Sequence, residues 1–235
     1  SRAGIYTKYT ARLIKSSGAD RLITMDVHNL SAFQSANDVL VDNLEAKKPL
    51  VEFLCGGVDR DGLKVEHHID EPLCEDALVK NGESDLVILS PDSGGTDRAK
   101  RFRNELEKRL QLKNKVDVVH FDKSRSNSGE VNGNKIVGDV KGRRVIIYDD
   151  LIATASTINL CQQAVENYGG SVFAVCATHG QFTSNANEKL ANIKRLVVTD
   201  TMPPFRLTKN PGWEGRLFVC PVAQMFANAI RITHY

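Results

Sequence analysis

Asp149 and Asp150 stand side by side, and three hydroxyl side chains, Thr154, Ser156 and Thr157, follow at short range. Two adjacent carboxylates repel an anion, so their chemistry is to accept a sugar's hydroxyls or to share a metal with it. The hydroxyls do the opposite: they donate to an anion, and the small residues Ala153 and Ala155 keep the backbone accessible between them. Together they ask for a phosphorylated sugar. An ordinary turn with a threonine cap explains neither the paired acids nor the hydroxyl run. A second group, Asp92-Ser93-Gly94-Gly95, offers one carboxylate for a metal and glycine N–H groups for ligand oxygens. Lys123 and Arg125 lie in a polar, serine- and glycine-containing segment. They are either solvated decoration or the cations of a lid that closes on phosphates, and two anion-binding loops favour the lid. His28, two residues after Asp26, is a candidate metal or phosphate contact, although a lone histidine is more often a structural hydrogen-bonder. The adjacent His67 and His68 point apart in any regular structure and have no third ligand nearby.

The surrounding chain must hold these groups in place. Val145–Tyr148 is an apolar run that reads as a buried strand, with the paired acids at its carboxyl end. The amphipathic segment from Ile158 reads as a helix, so the hydroxyl loop sits at a helix N-terminus, where the dipole favours an anion. Strands are also read at 84–90, 116–121, 171–180, 195–201 and 217–221, and helices at 96–110, 184–192 and 222–232. Helix 96–110 is strongly basic (Arg98, Lys100, Arg101, Arg103, Lys108, Arg109) and reads as a solvated face. Towards the N-terminus, a helix over 1–17 ends at Gly18, and a strand follows over Arg21–His28, whose alternation puts Asp26 and His28 on one face. Residues 37–44 read as a short strand or loop edge, with Asp38 and Asp42 as acids near a site. Gly56 to Gly82, rich in Asp, Glu, Gly and His, reads as a surface excursion. Strands alternating with helices predict an α/β fold with doubly wound, mostly parallel sheets.

A chain of 235 residues can bury one large core or two modest ones. Hydrophobic content of 41% and charged content of 26% suit a globular protein, and a net charge of +2 gives no reason to expect nucleic acid. Five cysteines fit no metal-ligand spacing, so free thiols in a reducing cytosol are expected. No apolar run approaches the ~20 residues that span a bilayer.

The segments Ser1–Ile5, Thr24–His28, Val41–Leu44, Ser90–Gly95, Lys123–Arg125, Val137–Gly142, Asp149–Thr157, Cys176–Gly180 and Val198–Thr201 carry a resemblance. In this order they resemble the ribose-phosphate pyrophosphokinase (phosphoribosyl pyrophosphate synthetase) family of the phosphoribosyltransferase-like superfamily. The resemblance implies two related α/β domains, the first incomplete. Residues 1–54 would be the remnant of the N-terminal domain and 55–82 an inserted loop or hairpin. Residues 83–218 would form the C-terminal domain, and 219–235 a helix packing back on the N-terminal one. It implies transfer of the diphosphoryl group of ATP to the C1 hydroxyl of ribose 5-phosphate, giving phosphoribosyl pyrophosphate and AMP. Lys123 and Arg125 would be catalytic, and His28 and Asp92 would hold Mg²⁺. His28, Asp92, Ser93, Gly94 and Gly95 would bind ATP and its diphosphate. Asp149, Asp150, Ala153, Thr154, Ala155, Ser156 and Thr157 would bind ribose 5-phosphate. A cytoplasmic homo-oligomer, dimer or hexamer, with neither nucleic acid nor membrane as partner, is implied as well. The sequence departs from the family at Ala153, where diphosphate-transferring members usually carry an acid, and at Ala155-Ser156, which is usually glycine. Two alternatives follow: a non-catalytic regulatory homologue, and a salvage phosphoribosyltransferase.

Overall fold

The computed structural model describes residues 3–36, 38–56, 83–122 and 135–233. His67, His68, Lys123 and Arg125 lie outside the described residues. The chain forms two compact units: Lys47–Pro221 is the larger, and Ser1–Ala46 with Val222–Tyr235 make the smaller.

In the larger unit the elements run α3 (Lys47–Leu54), β3 (Leu86–Ser90), α4 (Thr96–Leu110), β4 (Asp117–Asp122), β5 (Lys135–Val137), β6 (Arg144–Ile152), α5 (Ser156–Asn167), β7 (Ser171–Gly180), α6 (Ala186–Lys189), β8 (Leu196–Thr199), α7 (Phe205–Thr208) and β9 (Leu217–Cys220). One sheet of seven strands has the order β5-β4-β3-β6-β7-β8-β9. Every neighbouring pair is parallel except β4 with β5. All five residues of β3 are buried, as an uninterrupted apolar run demands of a strand covered on both faces. Alternation then divides the side chains between two layers. Val87, Leu89, Val145, Ile147, Val175 and Ala177 share one core with Ile158, Cys161 and Val165 of α5. Tyr148 has the opposite parity and stacks on Phe102 of α4, with ring centroids 4.2 Å apart. The doubly wound α/β architecture predicted from the sequence is therefore present.

α3, absent from the elements expected above, buries Leu50, Val51, Phe53 and Leu54, and Pro49 stands in its first turn, where proline is tolerated. The helix expected over 184–192 shrinks to the single turn α6. Cys55, Cys161, Cys176 and Cys220 are buried free thiols, and burial pushes the thiols of Cys176 and Cys220 upward, away from reactivity.

The smaller unit contains α1 (Ala3–Ser16), β1 (Arg21–Met25), α2 (Leu30–Ala36), β2 (Leu40–Leu44) and α8 (Ala223–Thr233), with β1 and β2 paired in parallel. Gly18 ends α1 at φ +87°, as read. β1 stops earlier than expected. Asp26 has φ 41°, and a left-handed residue breaks the alternation that would have put it on His28's face. Asp26 is consequently buried, its Oδ2 accepting the Ala46 N–H at 2.9 Å, whereas His28 is exposed. Asp42 forms an ion pair with Arg21 at 2.8 Å across the β1–β2 ladder, a surface contact of small energetic weight. Among the described residues, no helix is long and apolar enough to cross a membrane.

Candidate active site at the switch of the sheet

From β3 the chain moves outward to β4 on one side, and from β6 it moves to β7 on the other. Ligands of open α/β sheets bind where the winding reverses, outside the carboxyl ends of the strands. The two segments singled out in the sequence, Asp92–Gly95 after β3 and Asp149–Thr157 at the end of β6, flank that point.

The first loop is locked by its own side chains. Asp92 Oδ1 accepts the Gly95 N–H at 2.8 Å, Ser90 Oγ donates to the Asp92 carbonyl at 2.7 Å, and Thr96 Oγ1 donates to the Ser93 carbonyl at 2.8 Å. A Cβ at position 95 would lie 2.6 Å from Ser90 Oγ, so a larger residue there would displace the hydroxyl that bonds the Asp92 carbonyl. Asp92 is exposed, and its Oδ2 makes no hydrogen bond among the described residues. One such hard carboxylate oxygen suits Mg²⁺, which takes few protein ligands and keeps several waters. Among the described residues no group of three or more acidic, histidine or cysteine side chains gathers around a metal position.

β6 runs past the two carboxylates to Ile152, further than the apolar run alone predicts, and the two are not alike. Asp150 is buried, at 2% exposure, while Asp149 is partly exposed. Arg98 of α4 forks across both, from Nη1 to Asp149 Oδ1 at 3.2 Å and from Nη2 to Asp150 Oδ2 at 2.6 Å. The Asp150 N–H also donates to Asp149 Oδ1 at 2.9 Å. Burial first, and then the neighbouring charge of Asp150, raise Asp149 to about 7, against the opposing pull of Arg98. A carboxyl held near neutrality in a cleft is characteristic of functional sites.

Beyond the acids, Ala153–Thr157 line a cavity of about 140 Å³ with Asp149 and Leu151. Ala155 is left-handed at φ 57° and immediately precedes α5, which starts at Ser156, earlier than read. The first N–H groups of a helix have no partner within it and face the ligand side. Thr154 Oγ1 and Ser156 Oγ lie 3.0 Å apart, and Lys189 Nζ of α6 donates to Ser156 Oγ at 2.7 Å. The backbone after β7 straps the loop from beneath: the Gln181 and Phe182 N–H groups donate to the Ile152 carbonyl, and the Thr183 N–H to the Ala153 carbonyl.

The structure thus brings Asp92–Gly95, Asp149, Asp150 and Ala153–Thr157 into one large unit, while His28 belongs to the small unit. Arg98 and Lys189 join the site from outside the segments expected to form it. Arg98 was expected on a solvated face; it is instead half-buried and paired with both acids. The signal was its spacing, one helical turn before the buried Phe102. Lys189 had no signal, because its neighbour Ser156 is distant in sequence.

Residues 130–235 match the family described as phosphoribosyl synthetase-associated domain. A ribose-phosphate pyrophosphokinase of Dictyostelium discoideum is 31% identical over all of this chain and 63% of its own length. The Campylobacter jejuni ribose-phosphate pyrophosphokinase is 33% identical, over 100% and 64% respectively. The crystal structure of phosphoribosylpyrophosphate synthetase from Mycobacterium smegmatis superimposes with a TM-score of 0.72 at 29% identity, covering 98% of this chain and 64% of that one. The chain therefore spans a little under two thirds of the length of these relatives.

Proposed function

We propose a function from one premise: the chain belongs to the ribose-phosphate pyrophosphokinase family. It transfers the diphosphoryl group of ATP to the C1 hydroxyl of ribose 5-phosphate. The observation that carries this reading is the arrangement around β6: paired carboxylates lie among the last residues of the strand, which ends two residues later at Ile152, and a hydroxyl loop then opens α5.

In this reading the 5-phosphate lies against Ala153–Thr157 and the α5 N-terminus, and the ribose hydroxyls donate to Asp149 and Asp150. The C1 oxygen attacks the β-phosphorus of ATP, the bond from that phosphorus to the α–β bridging oxygen breaks, and AMP leaves with the bridging oxygen. Little covalent work falls to the protein; positioning and charge neutralisation dominate. Lys123 and Arg125 neutralise the charge that develops on the transferred group, and the loop Ser93–Gly95 lies against the diphosphate, with the Ser93 and Gly94 N–H groups as its donors. Asp92 would hold Mg²⁺, which supplies further neutralisation of the phosphate oxygens. A homo-oligomer belongs to the same proposal.

A second reading, a non-catalytic homologue that regulates active subunits, is favoured by Ala153, which stands where the family usually has an acid. The deciding experiment is release of AMP from ATP by the purified protein, dependent on ribose 5-phosphate and Mg²⁺. Release establishes the transferase; tight ribose 5-phosphate binding with no AMP release establishes the regulatory homologue.

A further inference from the structure

We infer that Lys189, acting together with Ser156, is a phosphate-binding element of the site: the ammonium supplies the positive charge and the Ser156 hydroxyl makes the contact. This rests on the ribose 5-phosphate reading above and adds to it a residue and a reason for the departure at position 156.

The need for a cation follows from the charges. A phosphomonoester carries close to two negative charges at neutral pH, and here it sits beside Asp149 and Asp150. Residues 151–157 are Leu-Ile-Ala-Thr-Ala-Ser-Thr and include no basic side chain. Arg98 is already committed to the two acids. Lys189 meets the need from another element, with Nζ 2.7 Å from Ser156 Oγ. Because the ammonium donates to that oxygen, the hydroxyl proton is left to donate onward. In the structure its neighbour is Thr154 Oγ1 at 3.0 Å, and an anion in the cavity would take its place. A hydroxyl that accepts from a cation is polarised into a better donor.

The lysine is held by its surroundings. Ala186 and Leu190 are buried on either side of it, and Asn187 Oδ1 accepts the Trp213 Nε1–H at 2.7 Å. The Thr183 N–H, three residues before Ala186, is tied to the Ala153 carbonyl of the loop at 2.9 Å. A flexible side chain on a fixed turn thus has a fixed reach to one hydroxyl.

The test is calorimetric titration of ribose 5-phosphate into wild type, Lys189→Met, Lys189→Arg, Ser156→Ala and Thr157→Val. Lys189→Met should weaken binding by about 10- to 100-fold, the range for a charge-assisted hydrogen bond, and flatten its dependence on salt. Lys189→Arg should recover most of the loss, which a merely structural lysine would not predict. Should Lys189→Met prove unstable, Ser156→Ala carries the test, and unchanged affinity there overturns the proposal. If Thr157→Val weakens binding while Lys189→Met does not, the lysine assignment falls and the phosphate site stands. If wild type does not bind ribose 5-phosphate, both fall.

Discussion

Arg98 Nη2 lies 2.6 Å from Oδ2 of Asp150, a carboxylate that is otherwise buried at the end of the central strand. Removing one partner of a buried pair leaves an uncompensated charge, which costs roughly 3–5 kcal/mol, far more than the net worth of the pair itself. Arg98→Met should therefore lower stability at pH 8 by an amount in that range, read from urea denaturation. Lysine cannot fork across two carboxylates, so Arg98→Lys should recover only part of it. A loss below about 1 kcal/mol for Arg98→Met would show that the acids are solvated rather than held by the guanidinium.

The raised Asp149 gives stability a specific pH dependence. The folded protein keeps this carboxyl protonated up to about pH 7, while the ordinary value of 3.8 holds in the unfolded chain. Between those values the folded state binds the extra proton, so stability falls as pH rises through the window and levels off above it. Asp149→Asn removes that dependence. Melting curves should show the variant gaining on wild type from pH 4 to pH 8; a constant difference across the range contradicts the assignment.

Ala155 shows how a departure from glycine is accommodated. Its φ of 57° costs an alanine about 1–2 kcal/mol. The methyl group, however, is buried with Ile152 and Ile158, which returns about 0.8 kcal/mol. A glycine would also lose about 0.5–1 kcal/mol to backbone entropy. The terms nearly cancel, so Ala155→Gly should shift stability by less than about 1 kcal/mol. Ala155→Val adds a branched side chain to a left-handed position and should destabilise by more than the glycine does. Chemical denaturation of the two variants gives the comparison.

What the sequence made legible were features written in contiguous residues. The apolar run Val145–Tyr148 reads as a central strand with Asp149 and Asp150 at its carboxyl end; the strand is there, but it continues through the acids to Ile152, because Leu151 and Ile152 still pair with β7. The same logic located Asp92–Gly95, since glycines after an apolar run mark a loop. Features that depend on residues far apart in sequence were hidden. Arg98 and Asp150 meet only because β3 and β6 are neighbours, a fact of strand order. Lys189 reaches Ser156 only because the chain after β7 folds back beneath the loop. At Asp26 the alternation rule failed locally: one left-handed residue turned the acid inward and separated it from His28.

Asp92 performs two tasks that one substitution can separate. Its Oδ1 shapes the loop by accepting the Gly95 N–H, and its charge is what a Mg²⁺ ion would use. Asparagine preserves a carbonyl oxygen for Gly95 but removes the charge; alanine removes both. If the reading is right, Asp92→Asn should melt within a degree or two of wild type, because an exposed position with its hydrogen bond preserved changes stability by less than about 0.5 kcal/mol. It should at the same time lose most of the Mg²⁺-dependent binding of ATP. Asp92→Ala should lose binding and also about 1 kcal/mol of stability, the value of a loop hydrogen bond to a charged acceptor being at least that large. The readout is titration of Mn²⁺ followed by electron paramagnetic resonance, in the presence of a non-hydrolysable ATP analogue. Retention of wild-type Mn²⁺ affinity by Asp92→Asn would remove this carboxylate from the metal and leave it as a loop-shaping residue alone.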